Sequence, residues 1–252
     1  MPSRKIADQV KAPTIEEVGL YINGDFIRAD TSWTLLQTAR ANGVDIPTLC
    51  YHPDLPSEGH CRLCLVEVGE PPRTRLVNSC TFPVAAELQV QTHSERVLKA
   101  RRLVLELLLA RAPKAEEVRR LAADHGVYET RFHIEDPEEL CILCGLCVRT
   151  CREIVGVSAI SMAFRTPEKQ VATPFKEAAE ACIGCGSCAF VCPTGVITYT
   201  EQNGIRSIWG RDFELVACET CGSYIAPRAS LEYWAKQTGD PVERYFICRN
   251  CR

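Results

Sequence analysis

Apolar and polar positions alternate through GLYINGDFIRA, residues 19–29, with a break at Asn23-Gly24. The pattern predicts a β-hairpin whose turn needs positive φ angles. In TSWTLLQTARANG the period changes: Leu35, Leu36 and Ala39 give a helical apolar face, Thr31 or Ser32 is expected to cap it, and Gly43 is placed to end it. CLVEVGE, TRLVNSC and ELQVQT return to strand-like patterns and complete a small α+β unit by about residue 92. Residues 94–111, SERVLKARRLVLELLLAR, carry apolar side chains at helical spacing, and KAEEVRRLAADHG predicts a second helix after Pro113. The strongest apolar run, LVLELLLA, is interrupted by Glu106 and is too short to span a bilayer, so no transmembrane segment is expected.

Composition changes this picture at one residue type. The chain has 252 residues, 46% of them hydrophobic, enough for two or three small domains, yet it carries 16 cysteines against 2 methionines and 8 phenylalanines. Cysteines that outnumber packing needs and cluster so tightly point to metal ligation. The N-terminus, MPSRKIADQVKAPTIEE, has no apolar signal core, so a cytoplasmic location with reduced thiols is the expectation. A net charge of -3 gives no electrostatic case for nucleic acid or an anionic membrane, and other proteins are the expected partners.

The motif Cys141-x2-Cys144-x2-Cys147-x3-Cys151 recurs as Cys182-x2-Cys185-x2-Cys188-x3-Cys192, followed by Pro193. This is the spacing of two-cluster bacterial ferredoxins, in which the fourth cysteine of each run serves the other cluster. One [4Fe-4S] cluster is therefore assigned to Cys141, Cys144, Cys147 and Cys192, and the other to Cys151, Cys182, Cys185 and Cys188. Gly145, Gly184 and Gly186 let backbone amides approach the sulfurs, or serve as simple turn residues. Zinc and disulfides are the poorer readings of a duplicated run in a reducing compartment.

The N-terminal set, Cys50-x10-Cys61-x2-Cys64-x15-Cys80, could supply the four thiolates that two irons need, though its spacing differs from the plant-type motif. IPTLCYHPDL, CRLCLVEV and RRLVLELLL resemble the [2Fe-2S] region of the large iron–sulfur subunit of respiratory complex I, of [FeFe]-hydrogenases and of the diaphorase part of NAD-reducing hydrogenases. The resemblance continues through PEELCILCGLCVRTCREIVG and ACIGCGSCAFVCPTGVI, covering roughly residues 18–200. It implies an N-terminal β-grasp [2Fe-2S] ferredoxin domain, with the cluster on Cys50, Cys61, Cys64 and Cys80, and electron flow onward through the cubanes. One departure is plain: where those relatives carry one histidine and three cysteines for a further [4Fe-4S] cluster, this chain reads ARAPKAEEVRRLAADHGV, without cysteine, and that cluster is expected to be absent.

The last four cysteines, Cys218-x2-Cys221 and Cys248-x2-Cys251, form two knuckles suited to a tetrahedral ion. Zinc in a zinc-ribbon-like module is preferred over mononuclear iron; a further [4Fe-4S] cluster is a third option, though its usual tight triplet is absent. The architecture expected is thus α+β: a polar leader at 1–17, the [2Fe-2S] domain at 18–93, a helical bridge at 94–136, a two-[4Fe-4S] ferredoxin domain at 137–203 and a four-cysteine module at 204–252.

The remaining candidates read as structural. His52, His60, His93, His125 and His133 fit surface or hydrogen-bonding roles, since each cluster already has four cysteines. Lys99, Arg101, Arg102, Arg111, Lys114, Arg119 and Arg120 make the bridge basic, which could receive an acidic partner but reads first as a solvated helical face. Trp33, Trp209 and Trp234 read as core or partly buried packing.

With no GxGxxG fingerprint and no spare cysteine for a nucleophile, the chain reads as an electron-transfer subunit. The expected partners, by resemblance, are a flavin-containing NAD(H)-oxidoreducing subunit and a separate catalytic oxidoreductase subunit such as a hydrogenase, formate dehydrogenase or acyl-CoA or aldehyde reductase. The rival readings are a freely diffusing polyferredoxin and a redox-sensing binding protein.

Overall fold

A computed structural model describes residues 16–165 and 168–252. Most of the leader assigned to residues 1–17 lies outside them. The chain divides into two compact units, one formed by residues up to Pro47 with Arg62–Arg101, the other by Thr48–Cys61 with Arg102–Arg252.

The first unit is a five-stranded mixed sheet with one helix. Strands β1 (Glu17–Ile22) and β2 (Asp25–Asp30) pair antiparallel around Asn23 and Gly24, whose φ angles of 54° and 95° are those the sequence pattern requires. The Asn23 side chain also accepts from the Thr92 amide and donates to the Thr92 hydroxyl, both at 2.8 Å. With β3 (Leu65–Val68), β4 (Arg75–Asn78) and β5 (Gln89–Gln91), the sheet order is β2-β1-β5-β3-β4, and only the β1–β5 pair is parallel. Leu20, Ile22, Leu35, Leu36, Val66 and Val90 are buried, one face of the alternation together with the helical stripe.

Helix α1 (Leu35–Ala41) starts later than the sequence pattern suggests. Thr31 and Ser32 do not cap it: the Thr31 amide donates to the Glu16 carbonyl and the Ser32 amide to the Asp30 carboxylate, so both belong to the turn that follows β2. Thr34 is the cap, in a reciprocal box with Gln37. The helix ends at Asn42, and Gly43 follows in the left-handed region at φ 73°.

Helix α2 (Glu95–Arg111) is continuous across the division, its first turns counted with the first unit and the rest with the second. Arg101, read from the sequence as part of a solvated basic face, is instead 1% exposed and donates to the Leu65 carbonyl at 2.7 Å. Its guanidinium is pulled down to about 10, first by burial, with Cys64 and Asp45 opposing.

The second unit carries α3 (Glu116–Asp124), the two cysteine runs, the hairpin β6 (Ser161–Ala163) with β7 (Gln170–Ala172), and a four-stranded antiparallel sheet. That sheet comprises β8 (Thr200–Gln202), β9 (Ile205–Ile208), β10 (Arg211–Ala217) and β11 (Tyr224–Pro227), in the order β11-β10-β9-β8. Asn203-Gly204 and Trp209-Gly210 turn its strands, all four at φ between 51° and 77°. Helix α6 (Arg228–Thr238) follows directly. Among the described residues no helix is long and apolar enough to cross a membrane.

Candidate metal centres

Each cysteine run is a loop that closes into a very short helix. In the first, Leu143 at φ 55° turns its amide back to Cys141 Sγ at 3.4 Å, and Gly145 at φ 75° opens α4 (Leu146–Arg149), which buries Cys147. A wider π-type turn, Thr150–Val155, carries Cys151. Its carbonyl accepts from Gly156, Val157 and Ser158 at 3.0, 3.1 and 3.2 Å, while the Ala159 amide donates to Cys151 Sγ at 3.2 Å. In the second run Gly184 and Gly186, at φ 70° and 78°, lead into α5 (Ser187–Phe190). Both need to be glycine: a Cβ on Gly184 would sit 2.6 Å from the Phe213 ring, and one on Gly186 would meet Tyr199 at 3.2 Å. The Gly184 amide favours the Cys182 thiolate, though burial outweighs it and raises that thiol.

The second unit brings the eight cysteines into two cavities. A space of about 370 Å³ is lined by Cys141, Cys144, Cys147 and Cys192. A tight enclosed space is lined by Cys151, Cys182, Cys185 and Cys188. Ala159, Ile160 and Ile208 wall the second space, and with Ala179 and Phe213 they form one buried cluster with Cys147, Cys151 and Cys188.

Burial sets the thiol chemistry. It pushes Cys144 up to about 11 and Cys147 up to about 12, and it raises Cys141, Cys182 and Cys188 as well. Cys192 is the exception: burial raises it, but the amides of Ile197, Thr194 and Val196 and the Thr194 hydroxyl outweigh that and leave it below the ordinary thiol value. Thiols that hold their protons when empty must release them to bind metal, and these N–H donors favour the charged sulfur once they do. The cradles fit an iron–sulfur cluster on this ground.

Arginines lock the cradles to the rest of the unit. Arg149, 1% exposed, donates to the Cys50 carbonyl at 2.7 Å and the Pro56 carbonyl at 2.5 Å. Arg206 donates to the Gly184 and Cys185 carbonyls at 2.9 and 3.1 Å, with its guanidinium over the Tyr199 ring and paired to Glu201. Arg211 reaches the Ala179, Glu180 and Cys182 carbonyls. Arg111, also assigned to a solvated face from the sequence, binds the Cys141 carbonyl and Glu139. β9 and β10 thus support the second run even though they follow residue 203 in the chain.

The N-terminal cysteines are all buried. In the first unit Cys64 and Cys80 stand with their sulfurs 3.2 Å apart, and the Ser79 amide donates to the Cys64 carbonyl. In the second, the Cys61 amide donates to Cys50 Sγ at 3.3 Å.

The C-terminal four converge tightly. The sulfurs of Cys218, Cys221, Cys248 and Cys251 lie within 4.8 Å of one another, with Cys221 and Cys248 at 3.8 Å. A tetrahedral zinc thiolate, with Zn–S of about 2.3 Å, has edges of about 3.8 Å, so the set fits a single ion. A cubane would have to stand between sulfurs spread more widely, and the third option weighed from the sequence does not fit. Cys218 is drawn down to about 6 by the amides of Cys248 and Cys221, whereas Cys251 is raised to about 12 by the neighbouring Cys248 and Cys221 thiols.

Comparison with known proteins bears on the two regions before residue 200. Residues 16–95 match the model of a 2Fe-2S iron-sulfur cluster binding domain, and residues 140–196 that of a 4Fe-4S dicluster domain. The chain is an iron–sulfur protein. It is homologous to the NADH-ubiquinone oxidoreductase 78 kDa subunit of Candida albicans, 29% identical over 82% of this chain and 31% of the relative. It is likewise homologous to the NADP-reducing hydrogenase subunit HndD of Solidesulfovibrio fructosivorans, 33% identical over 71% and 36%. A crystal structure of NAD+-reducing [NiFe]-hydrogenase matches at a TM-score of 0.61 and 29% identity, covering 71% of this chain and 85% of that one. This iron–sulfur protein spans about a third of the length of the curated relatives it matches.

The histidines of the iron–sulfur protein have ordinary partners where contacts are described: His52 accepts from the Asp54 amide, His60 pairs with Glu58 at 2.7 Å, His93 meets Thr92, and His125 meets the Leu121 carbonyl. Sequence reasoning passed over Arg149, Arg206 and Arg211, and it read Trp209 as packing. Trp209 lines both cysteine cavities and donates its indole N–H to Cys188 Sγ at 3.4 Å. The turn signals Asn203-Gly204 and Trp209-Gly210 could have announced the hairpins that deliver Arg206, Trp209 and Arg211.

Proposed function

We propose that the chain is the iron–sulfur electron-transfer subunit of a multi-subunit oxidoreductase. In this reading Cys141, Cys144, Cys147 and Cys192 hold one [4Fe-4S] cluster, and Cys151, Cys182, Cys185 and Cys188 the other. Cys50, Cys61, Cys64 and Cys80 hold a [2Fe-2S] cluster in a β-grasp domain, and Cys218, Cys221, Cys248 and Cys251 hold zinc in a ribbon-like module. The observation that carries it is the interleaving of the two runs, with each cavity lined by three cysteines of one run and the last cysteine of the other. When bound, the clusters supply one-electron carriers. The chain's own residues wall the second cavity with the apolar Ile160 and Ile208, donate N–H groups to the sulfurs, and fix the loops through buried arginines.

The relatives named for NADH and for hydrogenase support the choice of partners: a flavin-containing NAD(H)-oxidoreducing subunit on one side and a separate catalytic oxidoreductase subunit on the other. The test is anaerobic native purification, with iron, sulfide and zinc determination, identification of co-eluting chains, and NADH-dependent bleaching of the visible absorbance. A stoichiometric flavoprotein with rapid bleaching is the expected result. A lone chain reduced only by added ferredoxin-type donors overturns the fixed-subunit reading and favours a diffusing carrier.

A further inference from the structure

Trp209 is the point at which the two cysteine cavities share a wall. Its neighbours explain how it is held there. Trp209 and Gly210 form the two-residue turn between β9 and β10, at φ 53° and 71°, and the flanking Ile208 and Phe213 are buried in the same cluster as Cys147, Cys151 and Cys188. On the far side of the turn, Arg211 binds the Ala179, Glu180 and Cys182 carbonyls, so the hairpin is tied to the second run at both ends of the turn. An indole nitrogen is a donor only, and its one proton points at Cys188 Sγ from 3.4 Å. Packing alone would accept any large apolar ring at this position; it would not orient the single polar atom of the ring toward a cluster ligand.

We propose that Trp209 is a potential-setting residue for the cluster held by Cys151, Cys182, Cys185 and Cys188, acting through its indole N–H on the Cys188 sulfur. The inference rests on the ligand assignment made above. A cluster gains negative charge on reduction, part of it on the thiolate sulfurs. A hydrogen bond to one of those sulfurs therefore favours the reduced form and raises the potential. Trp209 touches the other cavity only as apolar wall, so its removal separates the two cubanes.

The test is Trp209→Phe, which keeps a ring in place and deletes the N–H. Redox titration followed by electron paramagnetic resonance is run on the purified full chain, with iron and sulfide measured alongside. The expected result is unchanged metal content with one cubane harder to reduce, its reduced-to-oxidised ratio at fixed poise falling roughly three- to tenfold, or about 30–60 mV, while the other stays put. Unchanged potentials at full metal content overturn the inference and leave the ligand assignment standing. A wild-type chain without two cubane signals overturns the assignment itself, and the inference with it. Should Trp209→Phe lose a cluster, the decision passes to a Trp33→Phe, Trp234→Phe chain that keeps Trp209, labelled with 15N at the indole. A hyperfine coupling between the reduced cluster and the indole N–H supports the proposal, and its absence overturns it.

Discussion

The repeated cysteine runs and the four-cysteine site at 218–251 present the same ligand atom in opposite surroundings. In the runs, burial raises the thiols, Cys147 as far as about 12, and apolar side chains close the cavity. In the C-terminal site Cys221 is exposed, the sulfurs crowd to within 4.8 Å, and two amides bring Cys218 down to about 6. A buried cage favours small solvent reorganisation and gives its hydrogen bonds a large effect, as an electron carrier needs. An open, compact site with a ready thiolate suits one ion that ties a chain segment together. Hence the same residue type, at similar CxxC spacing, supports two different chemistries.

Removing a ligand is the strongest way to break that contrast. Cys188→Ser should cost roughly four irons per chain and one cubane signal while the ion at the C-terminal site stays, by metal analysis and electron paramagnetic resonance. Loss of both metals together would show the regions to be one cooperative site. Next, Cys221→Ser should release the C-terminal ion and leave the cubane signals intact, and in wild-type protein a hydrophilic chelator should remove that ion well before the visible absorbance fades.

Effects on stability follow. Arg149→Ala strips two carbonyls and a buried segment of their donor and should cost about 3 kcal/mol or more, seen as a lower denaturation midpoint. Arg252→Ala, which removes an exposed bond to the Arg244 carbonyl, should change the midpoint by no more than about 0.5 kcal/mol.

The smallest effect is on the pH dependence of the metal-free chain, where raised and lowered thiols act with opposite signs. Cys144 and Cys147 are raised in the fold, so between about 9 and about 12 the folded chain holds more protons than the unfolded one, and stability falls as pH rises. Cys218 is lowered, so its contribution is present above about 9 and is lost as pH falls through about 6. Urea midpoints measured from pH 6 to 11 should therefore rise and then fall. Cys218→Ser should weaken the rise, to which the lowered Cys192 and Cys221 also contribute, and leave the fall.

Much of this was legible along the chain because the physics is local. A hairpin at Asn23-Gly24 follows from two positive φ angles, and a glycine-punctuated triplet of cysteines curls around a small object within a few residues. The start of α1 was misread at Thr31 and Ser32 because both are taken up by the turn after β2, which the local pattern of cap residues does not reveal.

What the sequence determined by itself was the number and spacing of the cysteines, the helix and strand periods, and the absence of cysteine between Cys80 and Cys141. Tertiary structure alone decided what meets the sulfurs and loops from afar. Arg149 reaches a carbonyl 99 positions away, Arg206 and Trp209 reach the second run from 21 positions on, and Arg101 is drawn into the interior. The physical reason is that spacing follows from backbone geometry within a few residues, whereas a buried donor finds its acceptor only when distant segments have packed together.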